Sequence, residues 1–393
     1  MSLPAPAAQS LVGHLGRWGT DPLALLTEGA ASGPLFSLRL WRRAIVGCSP
    51  AWNRLVLGDL ATFRSRGSMS GLSPYLAGGV VQTDAPEHRS RRMALNPSFH
   101  RTALVDLEPR IAAVTRAQLP TGDFDAAAWS SDLVRNLLLA LFFDQAFPAE
   151  LLRRFLTPLD RGLPAPFLRR PLLFRRMDRA LGEAVERARP STLAHAFQGL
   201  PDGVEEARVA LAAAYDTTAH TLAWLLWHLA DDRVPVDRDL LPLVVEETLR
   251  LYPAGWVGTR VTAEPVTFED TRIPAGTLVM YSPYLTHRDP TLWSDPLTFR
   301  PSRFAEPLPA WGFIPFAAGE RTCLGAQLAR LILRTVAGQL ADARLTRTGA
   351  DPGLRAGITL APAGPLQLHR HQAPRVLRPV DAARDEPAGG TVA

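Results

Sequence analysis

Cysteine is rare in this 393-residue chain, and lysine is absent. The two cysteines are Cys48 and Cys323, and all 43 residues that count as lysine or arginine are arginines. Two cysteines this far apart in sequence do not make a disulfide framework, so the sequence predicts a protein of a reducing compartment. They also exclude a structural zinc site built from several cysteines and an iron–sulfur cluster held by a cysteine set.

An excess of charge and long apolar runs are missing as well. The formal net charge is only +5, and the absence of a dense basic stripe argues against a nucleic-acid-binding protein. The apolar stretches at 136–143 and 222–230 fall well short of the roughly 20 residues that a membrane span needs, so we expect buried helices there. The first residues have no basic segment before an apolar one, so we expect no secretory signal and a cytoplasmic protein.

Apolar residues make up 47% of the chain, which is enough to build a large core. Between about residues 85 and 250 they recur at the i, i+3, i+4 spacing of helices. The segment 204–230 has no proline over about 27 residues, so as a helix it would cross a whole domain. Helix is expected again at about 324–342.

Strand-like segments are short and lie in three parts of the chain. They occur at 35–48, between 258 and 282, and at 357–370, where the pattern predicts a terminal hairpin. Residues 371–393 are rich in proline, glycine and charge, so we expect a disordered tail after a single domain of residues 1–370. The predicted fold class is therefore mostly α with small β-sheets.

The stretch FAAGERTCLG, residues 316–325, places Cys323 just before a predicted helix. A helix N-terminus carries partial positive charge and Arg321 adds more, so this position favours a thiolate. Gly319 and Gly325 would let the backbone approach a flat ligand closely. Three interpretations fit these residues: a buried inert cysteine, a nucleophile with a histidine base elsewhere, and the axial ligand of a haem iron.

The same stretch resembles F-x-x-G-x-R-x-C-x-G, the haem-ligand signature of the cytochrome P450 superfamily. Its five fixed positions are Phe316, Gly319, Arg321, Cys323 and Gly325. The resemblance implies that Cys323 is the axial ligand of haem b and that the other four residues bind the haem. It also implies the family's triangular helical prism with a small β-rich lobe.

A second motif, E-x-x-R, is formed by Glu247 and Arg250 on one face of a predicted helix. From the spacing alone, a solvated ion pair is the common alternative. In the family, this pair packs against a later segment, which here reads FRPSRF at 299–304. The resemblance therefore implies a structural pair in the core beside the haem.

A third motif lies at 83–99, where the sequence resembles the family's D-x-P-x-H-x-x-x-R helix beside the haem. The resemblance implies that cationic and donor side chains bind the two haem propionates. The four implied residues are His88, Arg92, Arg260 and Arg321. For Arg89 and Arg91 we expect a solvated helix face.

The long predicted helix contains AAYDTT at 213–218, which resembles the family's acid–alcohol motif. The resemblance implies that Asp216 and Thr217 deliver protons during oxygen activation, which favours a reductase-driven over a peroxide-driven reaction. From the pattern alone, a polar stripe facing solvent is the alternative. Ala214 stands where the family usually has glycine, so we expect a narrower pocket or a changed helix kink there.

By resemblance, substrate would meet four regions, at 64–81, 213–218, 254–258 and 358–360. Their leucine, valine, tyrosine and tryptophan content points to a lipophilic substrate such as a terpenoid, carotenoid or polyketide, to be hydroxylated or epoxidised with dioxygen and two electrons. Packing in the core is an equally good explanation for most of these side chains. The expected pocket residues are Ala213, Ala214, Thr218, Trp256 and Val257.

The partners follow from the same resemblance. We expect electrons from NAD(P)H to arrive through a ferredoxin reductase and an acidic ferredoxin, and we expect a monomer. The segment 162–179 combines apolar residues with five arginines and occupies the position of the family's lid. It predicts either a solvated lid or weak peripheral contact with an anionic membrane. A peroxygenase, an isomerase and a non-catalytic haem sensor are the alternative functions of such a scaffold.

Overall fold

The structure is a computed structural model that describes residues 3–8, 12–161, 165–231, 234, 238–341 and 343–374. Its α-helices are α1 Leu15–Thr20, α2 Pro22–Ala31, α3 Pro50–Gly58, α4 Gly79–Gln82, α5 Glu87–Phe99, α6 Arg101–Leu104, α7 Glu108–Arg116, α8 Ala126–Phe143, α9 Ala149–Asp160, α10 Pro171–Glu186, α11 Gly203–Leu229, α12 Leu241–Leu251, α13 Pro283–Thr286 and α14 Ala326–Ala341. Its strands are β1 Leu35–Arg39, β2 Arg43–Gly47, β3 Phe63–Arg64, β4 Gly122–Asp125, β5 Gly258–Thr262, β6 Val266–Phe268, β7 Thr271–Ile273, β8 Leu278–Tyr281, β9 Ala343–Arg347, β10 Leu354–Ala356, β11 Leu360–Pro362 and β12 Gln367–Pro374. Short 3-10 helices lie at Met69–Leu72, Val105–Leu107, Ala165–Phe167, Leu193–Phe197, Pro301–Ala305 and Gly319–Arg321.

The helical body is organised around α11. This helix is buried on nearly all sides, because it is apolar around most of its circumference and packs against α8, α10, α12 and α14. Glu205 and Glu206 occupy its first turn, where acidic side chains complement the partial positive charge of a helix N-terminus. The chemistry-bearing motif at 213–218 therefore lies in the centre of the molecule.

Helix α8 is the main neighbour of α11. It begins at a cap in which the Asp125 carboxylate accepts a hydrogen bond from the Ala127 amide at 2.9 Å. Among the described residues, it is the one helix with the length and apolar composition of a membrane span, and 61% of that window is buried inside the protein. The apolar stretch at 136–143 thus lies in a buried helix, as the sequence predicts.

The largest sheet is mixed, with the strand order β1-β2-β8-β5-β3. Its strands are antiparallel except for β2 and β8, which run parallel with Ile45 opposite Val279. Successive residues point to opposite faces, so Val46 and Ile45 belong to two separate apolar clusters. The smaller sheets have the orders β4-β12-β9, β6-β7 and β10-β11.

The predicted fold class, mostly α with small sheets, is confirmed. The predicted hairpin at 357–370 is wrong, because β11 pairs with β10 whereas β12 pairs with β4 and β9. Strand β12 continues to Pro374, past the domain boundary predicted at residue 370. The rest of the predicted tail, 375–393, and residues 162–164 of the predicted lid lie outside the described residues.

Candidate functional site

Cys323 and one face of α11 line the same cavity, which has a volume of about 390 Å³. The side of α11 that faces it carries small and hydroxylated residues. Those residues are Ala210, Ala213, Ala214, Thr217, Thr218 and Thr221. The motif at 213–218 and the cysteine are more than a hundred positions apart in sequence, and the fold brings them to one space.

The loop before Cys323 is folded back on itself. The Cys323 amide donates to the Phe316 carbonyl at 2.9 Å, and Phe316 also lines the cavity. Gly319 has φ +68°, and a Cβ atom there would lie 2.6 Å from the Leu57 carbonyl oxygen at the end of α3. Gly319 is therefore needed for packing between backbones, and the expectation that it admits a flat ligand stays a prediction. Gly325 does line the cavity, and its missing Cβ points to within 4.0 Å of the Cys323 sulfur.

Burial and the neighbouring positive groups shift the pKa of the Cys323 thiol in opposite directions. Burial raises its pKa, and the amides of Gly325 and Ala326 together with the charges of Arg92 and Arg330 oppose that rise without cancelling it. The direction of this pKa shift is opposite to the one expected from the helix start and Arg321. A metal cation bound at the sulfur would supply the missing stabilisation, since a coordinating thiol is deprotonated outright.

Four cationic or donor side chains converge on one end of the cavity. Each of them has a buried nitrogen that lacks a hydrogen-bond partner within the described part of the chain. These atoms are His88 Nδ1, Arg92 Nε, Arg260 Nε and Arg321 Nε. Arg321 also contacts Asp84 at 3.2 Å, so this end of the cavity holds three guanidinium groups and one nearby carboxylate.

Burial and neighbouring positive charges lower the pKa values of Arg321 and His88. Burial and the neighbouring Arg260 lower the pKa of Arg321 to about 10, although Asp84 opposes the change. Burial, Arg321 and Arg92 lower the pKa of His88 to about 4. Buried donors with depressed pKa values fit an anionic ligand with several acceptor oxygens.

A haem group fits this set of residues. The sulfur of Cys323 is a suitable axial ligand, and the buried donors of His88, Arg92, Arg260 and Arg321 match two propionates at one edge of the macrocycle. Apolar side chains from α5, α8 and α14 form much of the remaining wall, including Leu95, Leu138 and Leu328. The structure thus brings these sequence-predicted residues together, while their roles stay proposals.

On α11, Thr217 and Asp216 point to different surroundings. The Thr217 hydroxyl lies on the cavity wall and donates to the Ala213 carbonyl at 2.7 Å. Asp216 is buried and does not line the cavity, and its carboxylate accepts a hydrogen bond from Thr359 at 3.1 Å. Burial raises the pKa of Asp216 to about 7; the negative charge of Asp160 adds to the rise, while the Thr359 hydroxyl opposes it.

The position of Ala214 does not interrupt α11, which is α-helical throughout Gly203–Leu229. The Thr217 and Thr221 hydroxyls donate to the carbonyls four residues earlier, at 2.7 and 2.8 Å, and the helix continues through them. The methyl group of Ala214 contributes to the cavity wall. The solvent-facing alternative for this motif is excluded by the burial of Asp216 and Thr218.

Glu247 and Arg250 lie at the centre of a buried polar network. Arg250 donates to Glu247 at 2.7 and 2.9 Å, and its remaining nitrogen bonds the carbonyls of His287 and Pro296. From the FRPSRF segment, the Arg303 guanidinium and the Arg300 amide donate to Glu247 at 3.1 and 2.7 Å. The solvated ion pair is therefore excluded for these residues.

Not all expected pocket residues line the cavity. Ala213, Ala214, Thr218 and Val257 do, together with Val80 from the predicted loop at 64–81. Trp256 does not, because its ring packs against Trp18 and its Nε1 donates to the Gly357 carbonyl at 3.1 Å. Residues 358–360 do not line it either, and Thr359 instead contacts Asp216 and His220 on α11.

Arg91 is a site residue that the sequence did not reveal. It is mostly buried and forms ion pairs with Glu87 at 2.6 Å, Asp202 at 2.5 Å and Glu206 at 2.8 Å. The expectation of a solvated face is thus wrong for Arg91, whereas Arg89 is exposed and pairs with Glu320 at 2.7 Å. The partners of Arg91 on α11 are distant in sequence, so helical spacing alone could not identify them.

Glu205 and Glu206, in the first turn of α11, also hold α4 against the start of that helix. The Gly79 amide donates to Glu205 at 2.7 Å and the Val80 amide donates to Glu206 at 3.0 Å. Gly78 and Gly79 have φ +147° and +55°, and Cβ atoms there would lie within 2.7 Å of the two carboxylates. The adjacent glycines and adjacent glutamates are the sequence signal for this contact, which fixes Val80 and Val81 at the cavity wall.

Comparison with known proteins gives a consistent result. A family model described as Cytochrome P450 matches residues 236–340. Cyclooctat-9-en-7-ol 5-monooxygenase of Streptomyces melanosporofaciens is 28% identical, over 85% of this chain and 88% of that protein. Pentalenene oxygenase of Streptomyces avermitilis is 26% identical, over 83% of this chain and 87% of that protein. The crystal structure of a six-coordinated cytochrome P450 from Thermus thermophilus matches with a TM-score of 0.76 and 26% identity, over 90% of this chain and 99% of that chain.

The family match spans the part of the chain that contains the Glu247–Arg250 pair, Arg260 and Cys323. The fold match covers 90% of the chain. Both agree with the geometry of the cavity, where a cysteine faces a hydroxyl-bearing helix. The chain belongs to the cytochrome P450 superfamily and is a cytochrome P450 monooxygenase.

Proposed function

We propose that this protein binds haem b and uses dioxygen and two electrons to hydroxylate or epoxidise an apolar, terpenoid-like small molecule. One observation carries the proposal: the Cys323 sulfur, four buried donors without partners in the described chain, and a hydroxyl-bearing face of α11 line one cavity. Cys323 would be the axial ligand, and His88, Arg92, Arg260 and Arg321 would bind the propionates. Bound haem would supply oxygen activation and substrate oxidation, which a thiolate ligand favours by promoting O–O cleavage.

The chain's own contribution on the oxygen side is proton delivery. The Thr217 hydroxyl donates to the Ala213 carbonyl, so its oxygen is left to accept a hydrogen bond from a group in the cavity. The pKa of Asp216 is raised to about 7, which allows its carboxyl to gain and lose a proton near neutral pH. We therefore assign Thr217 to hold a proton donor at the cavity wall and Asp216 to resupply it.

The substrate proposal rests on the chemistry of the wall and on the relatives. Val80, Val209, Ala254 and Val257 give the α11 side of the cavity an apolar lining. The names of two relatives specify oxidation of cyclooctat-9-en-7-ol and of pentalenene, which are terpenoids. A wall that combines these apolar side chains with a few hydroxyls, such as those of Thr217 and Thr218, suits such hydrocarbon-rich molecules.

Electrons from NAD(P)H would reach the site through a ferredoxin reductase and an acidic ferredoxin. The Cys323 side of the protein offers a surface for such a partner: Arg89 and Met93 are exposed on α5, and Arg89 pairs with Glu320 in the loop before Cys323. An apolar side chain beside exposed positive charge is typical of a transient interface with an acidic protein. We propose that the protein works as a cytoplasmic monomer with these partners.

The predicted lid at 162–179 is the basis of a second proposed contact, with a membrane surface. Phe167, Leu168 and Leu172 are exposed near Arg169 and Arg175, and the preceding residues 162–164 are outside the described chain. We propose weak peripheral binding of this segment to anionic membranes, which would collect a lipid-dissolved substrate. Binding to vesicles of phosphatidylglycerol that weakens with salt supports this contact, and no binding at low salt refutes it.

The central experiment is spectroscopic and uses the purified haem-loaded protein. The reduced carbon monoxide complex is expected at the red-shifted Soret position of the family, and a panel of cyclic terpenes and terpene alcohols is expected to change the resting spectrum. Turnover with a ferredoxin system should then yield a hydroxylated or epoxidised product. A carbon monoxide complex without the red shift, or better turnover with hydrogen peroxide than with reductant, would overturn the proposal.

A further inference from the structure

Three buried polar side chains meet next to the cavity-lining face of α11. The Thr359 hydroxyl oxygen lies 3.1 Å from Asp216 Oδ2 and 2.8 Å from His220 Nδ1. The exposed fractions are 2% for Asp216, 4% for Thr359 and 6% for His220, so solvent does not compete for these hydrogen bonds. Neither Thr359 nor His220 belongs to the motifs found in the sequence, and neither lines the cavity.

Asp216, Thr359 and His220 form a triad in which the number of available hydrogens decides which group donates and which accepts. Thr359 has a single hydroxyl hydrogen, so when it donates to the Asp216 carboxylate it can only accept from His220. His220 must then carry its hydrogen on Nδ1, and its ring is neutral because burial and the charge of Arg355 lower its pKa to about 3. When Asp216 is protonated, its own O–H can donate to Thr359, which frees the Thr359 hydrogen to donate to His220 Nδ1.

We propose that Thr359 and His220 are positioning residues for Asp216, holding its carboxyl beside the cavity-lining face of α11 by a hydrogen-bond chain that reverses direction each time the carboxyl gains or loses a proton. The proposal deepens the assignment of Asp216 as the residue that resupplies protons, and it rests on that assignment. No bond other than O–H and N–H bonds changes in the reversal. One proton enters or leaves at His220 Nε2, one passes between His220 Nδ1 and Thr359, and one passes between Thr359 and Asp216. His220 therefore stays neutral, and Asp216 gains or loses a single proton.

The position of Thr359 is fixed by the wall of the cavity. Its neighbour Leu360 donates its amide to the Ala254 carbonyl at 3.1 Å, and the Gly357 amide donates to the Thr359 carbonyl at 2.9 Å. Trp256 Nε1 in turn donates to the Gly357 carbonyl. Because Ala254 lines the cavity, the segment that contacts substrate also sets the position of the Asp216 hydrogen-bond donor. Residues 358–360 therefore influence the position of Asp216, although they do not line the cavity.

Charged groups from three neighbouring elements face the triad. Asp160 at the end of α9 raises the pKa of Asp216 by its negative charge, and Arg355 of β10 acts on His220 by its positive charge. Asp160 accepts from the Tyr215 hydroxyl at 2.7 Å, and Arg135 of α8 donates to that hydroxyl at 2.9 Å. Arg355 also donates to the Asp160 carbonyl at 3.3 Å, so these groups form one polar layer between the triad and the exterior.

The test compares two variants that break the triad with two that retain it. Thr359→Val and His220→Phe each remove one hydrogen-bonding group, whereas Thr359→Ser and His220→Asn keep a hydroxyl and a donor near the Nδ1 position. The matched control is Thr335→Val, since the Thr335 hydroxyl is buried in α14 and lacks a partner within the described residues. All variants are first checked for the wild-type carbon monoxide spectrum, which establishes that they fold and bind haem.

The first readout is the infrared carbonyl band of protonated Asp216, assigned by its loss in Asp216→Asn and titrated in the haem-loaded protein. Thr359→Val is expected to raise the midpoint of that titration by about one pH unit, because the hydroxyl stabilises the ionised form. Thr359→Ser and Thr335→Val are expected to titrate like the wild type. A Thr359→Val midpoint equal to that of the wild type would overturn the proposal.

The second readout is product formed per NAD(P)H consumed with a ferredoxin system. Thr359→Val and His220→Phe are expected to lower this ratio about tenfold, with hydrogen peroxide formed instead, and Thr359→Ser and His220→Asn to restore it. If Asp216→Asn lowers the ratio but neither breaking variant does, the positioning role is refuted and the role of Asp216 stands. If Asp216→Asn leaves the ratio unchanged, the proposed role of Asp216 itself is refuted.

Discussion

Glu247 and Arg250 are joined by two hydrogen bonds of 2.7 and 2.9 Å at a position where neither side chain is exposed. Glu247 also accepts from Arg303, so its two carboxylate oxygens are fully used, and Arg250 holds three carbonyls of the segment before Cys323. The pair therefore fixes the position of the chain that leads to the cysteine. The removal of one partner would leave the other charged group buried and unpaired.

We predict that Glu247→Ala lowers the free energy of unfolding by about 3–5 kcal/mol, because it leaves an uncompensated buried guanidinium. Urea unfolding of the haem-free and haem-loaded protein measures this loss. The matched control is Glu150→Ala, which breaks another i, i+3 pair, with Arg153, at an exposed site. That change is expected to leave the free energy of unfolding nearly unchanged, because water and salt screen an exposed pair. Equal losses in the two variants would contradict the buried role of Glu247.

Cys323→Ser is predicted to abolish the red-shifted carbon monoxide spectrum while the protein remains folded, because serine cannot supply a thiolate ligand. The chain provides its own control in Cys48, a buried cysteine whose pKa burial raises to about 11. Cys48→Ser is expected to keep the wild-type spectrum. A red-shifted complex in Cys323→Ser would refute the assignment of the ligand.

The stability of the protein should depend on pH through Asp216. Its pKa is about 7 in the folded protein, against 3.8 for the ordinary group, so between those pH values the folded state holds a proton that the unfolded state has lost. Stability therefore falls as pH rises through this range, and the full cost is present above pH 7. Asp216→Asn removes the cost, so the variant is predicted to exceed the wild type by up to about 4 kcal/mol at pH 8 and about 2 kcal/mol at pH 5.

Thermal unfolding of both proteins across this pH range measures the difference. Asp106→Asn is the control, since Asp106 is an exposed carboxylate in a short 3-10 helix. Its effect on stability is expected to be small and nearly constant with pH. A constant difference between Asp216→Asn and the wild type from pH 5 to pH 8 would show that Asp216 titrates normally in the folded protein.

Local motifs made much of the site predictable from the sequence. The glycines and arginine around Cys323, the His88–Arg92 spacing and the AAYDTT segment each lie within a few residues, so a linear pattern can indicate them. The fold class follows in the same way from helical periodicity, which α11 and α14 obey. Even the electrostatic argument at Cys323 was partly right, since neighbouring amides and arginines do lower its pKa, but burial outweighs them.

The features that the sequence did not predict correctly depend on contacts between segments that lie far apart in the chain. Strand β12 pairs with β4, which lies more than two hundred residues earlier, so adjacency in sequence wrongly predicted a hairpin with β11. Trp256 was expected in the pocket, but alternation along a short segment turns it toward Trp18. Arg91 and Thr359 likewise acquire their roles from carboxylates on α11, which no local pattern connects to them.

The attachment of α4 to α11 gives the last prediction. Gly79 has φ +55°, and a Cβ atom there would lie 2.7 Å from the Glu206 carboxylate that accepts the Val80 amide. Gly79→Ala is therefore expected to push that carboxylate away and to break the hydrogen bonds that hold Val80 and Val81 at the cavity wall. Hydrogen exchange of the Val80 amide in the haem-loaded protein should become about tenfold faster or more, which corresponds to a loss of at least about 1.4 kcal/mol.

Gly122→Ala separates the two causes of this effect. Gly122 also has a positive φ, +64°, but a Cβ atom there would have no neighbour within 4 Å. Both substitutions carry the backbone strain of a left-handed conformation, about 1–2 kcal/mol, so both are expected to lower the melting temperature. Only Gly79→Ala is expected to release the Val80 amide, because only there does the new methyl group displace a hydrogen-bond acceptor. If Gly122→Ala accelerates exchange at Val80 equally, global strain and not the carboxylate contact controls the position of α4.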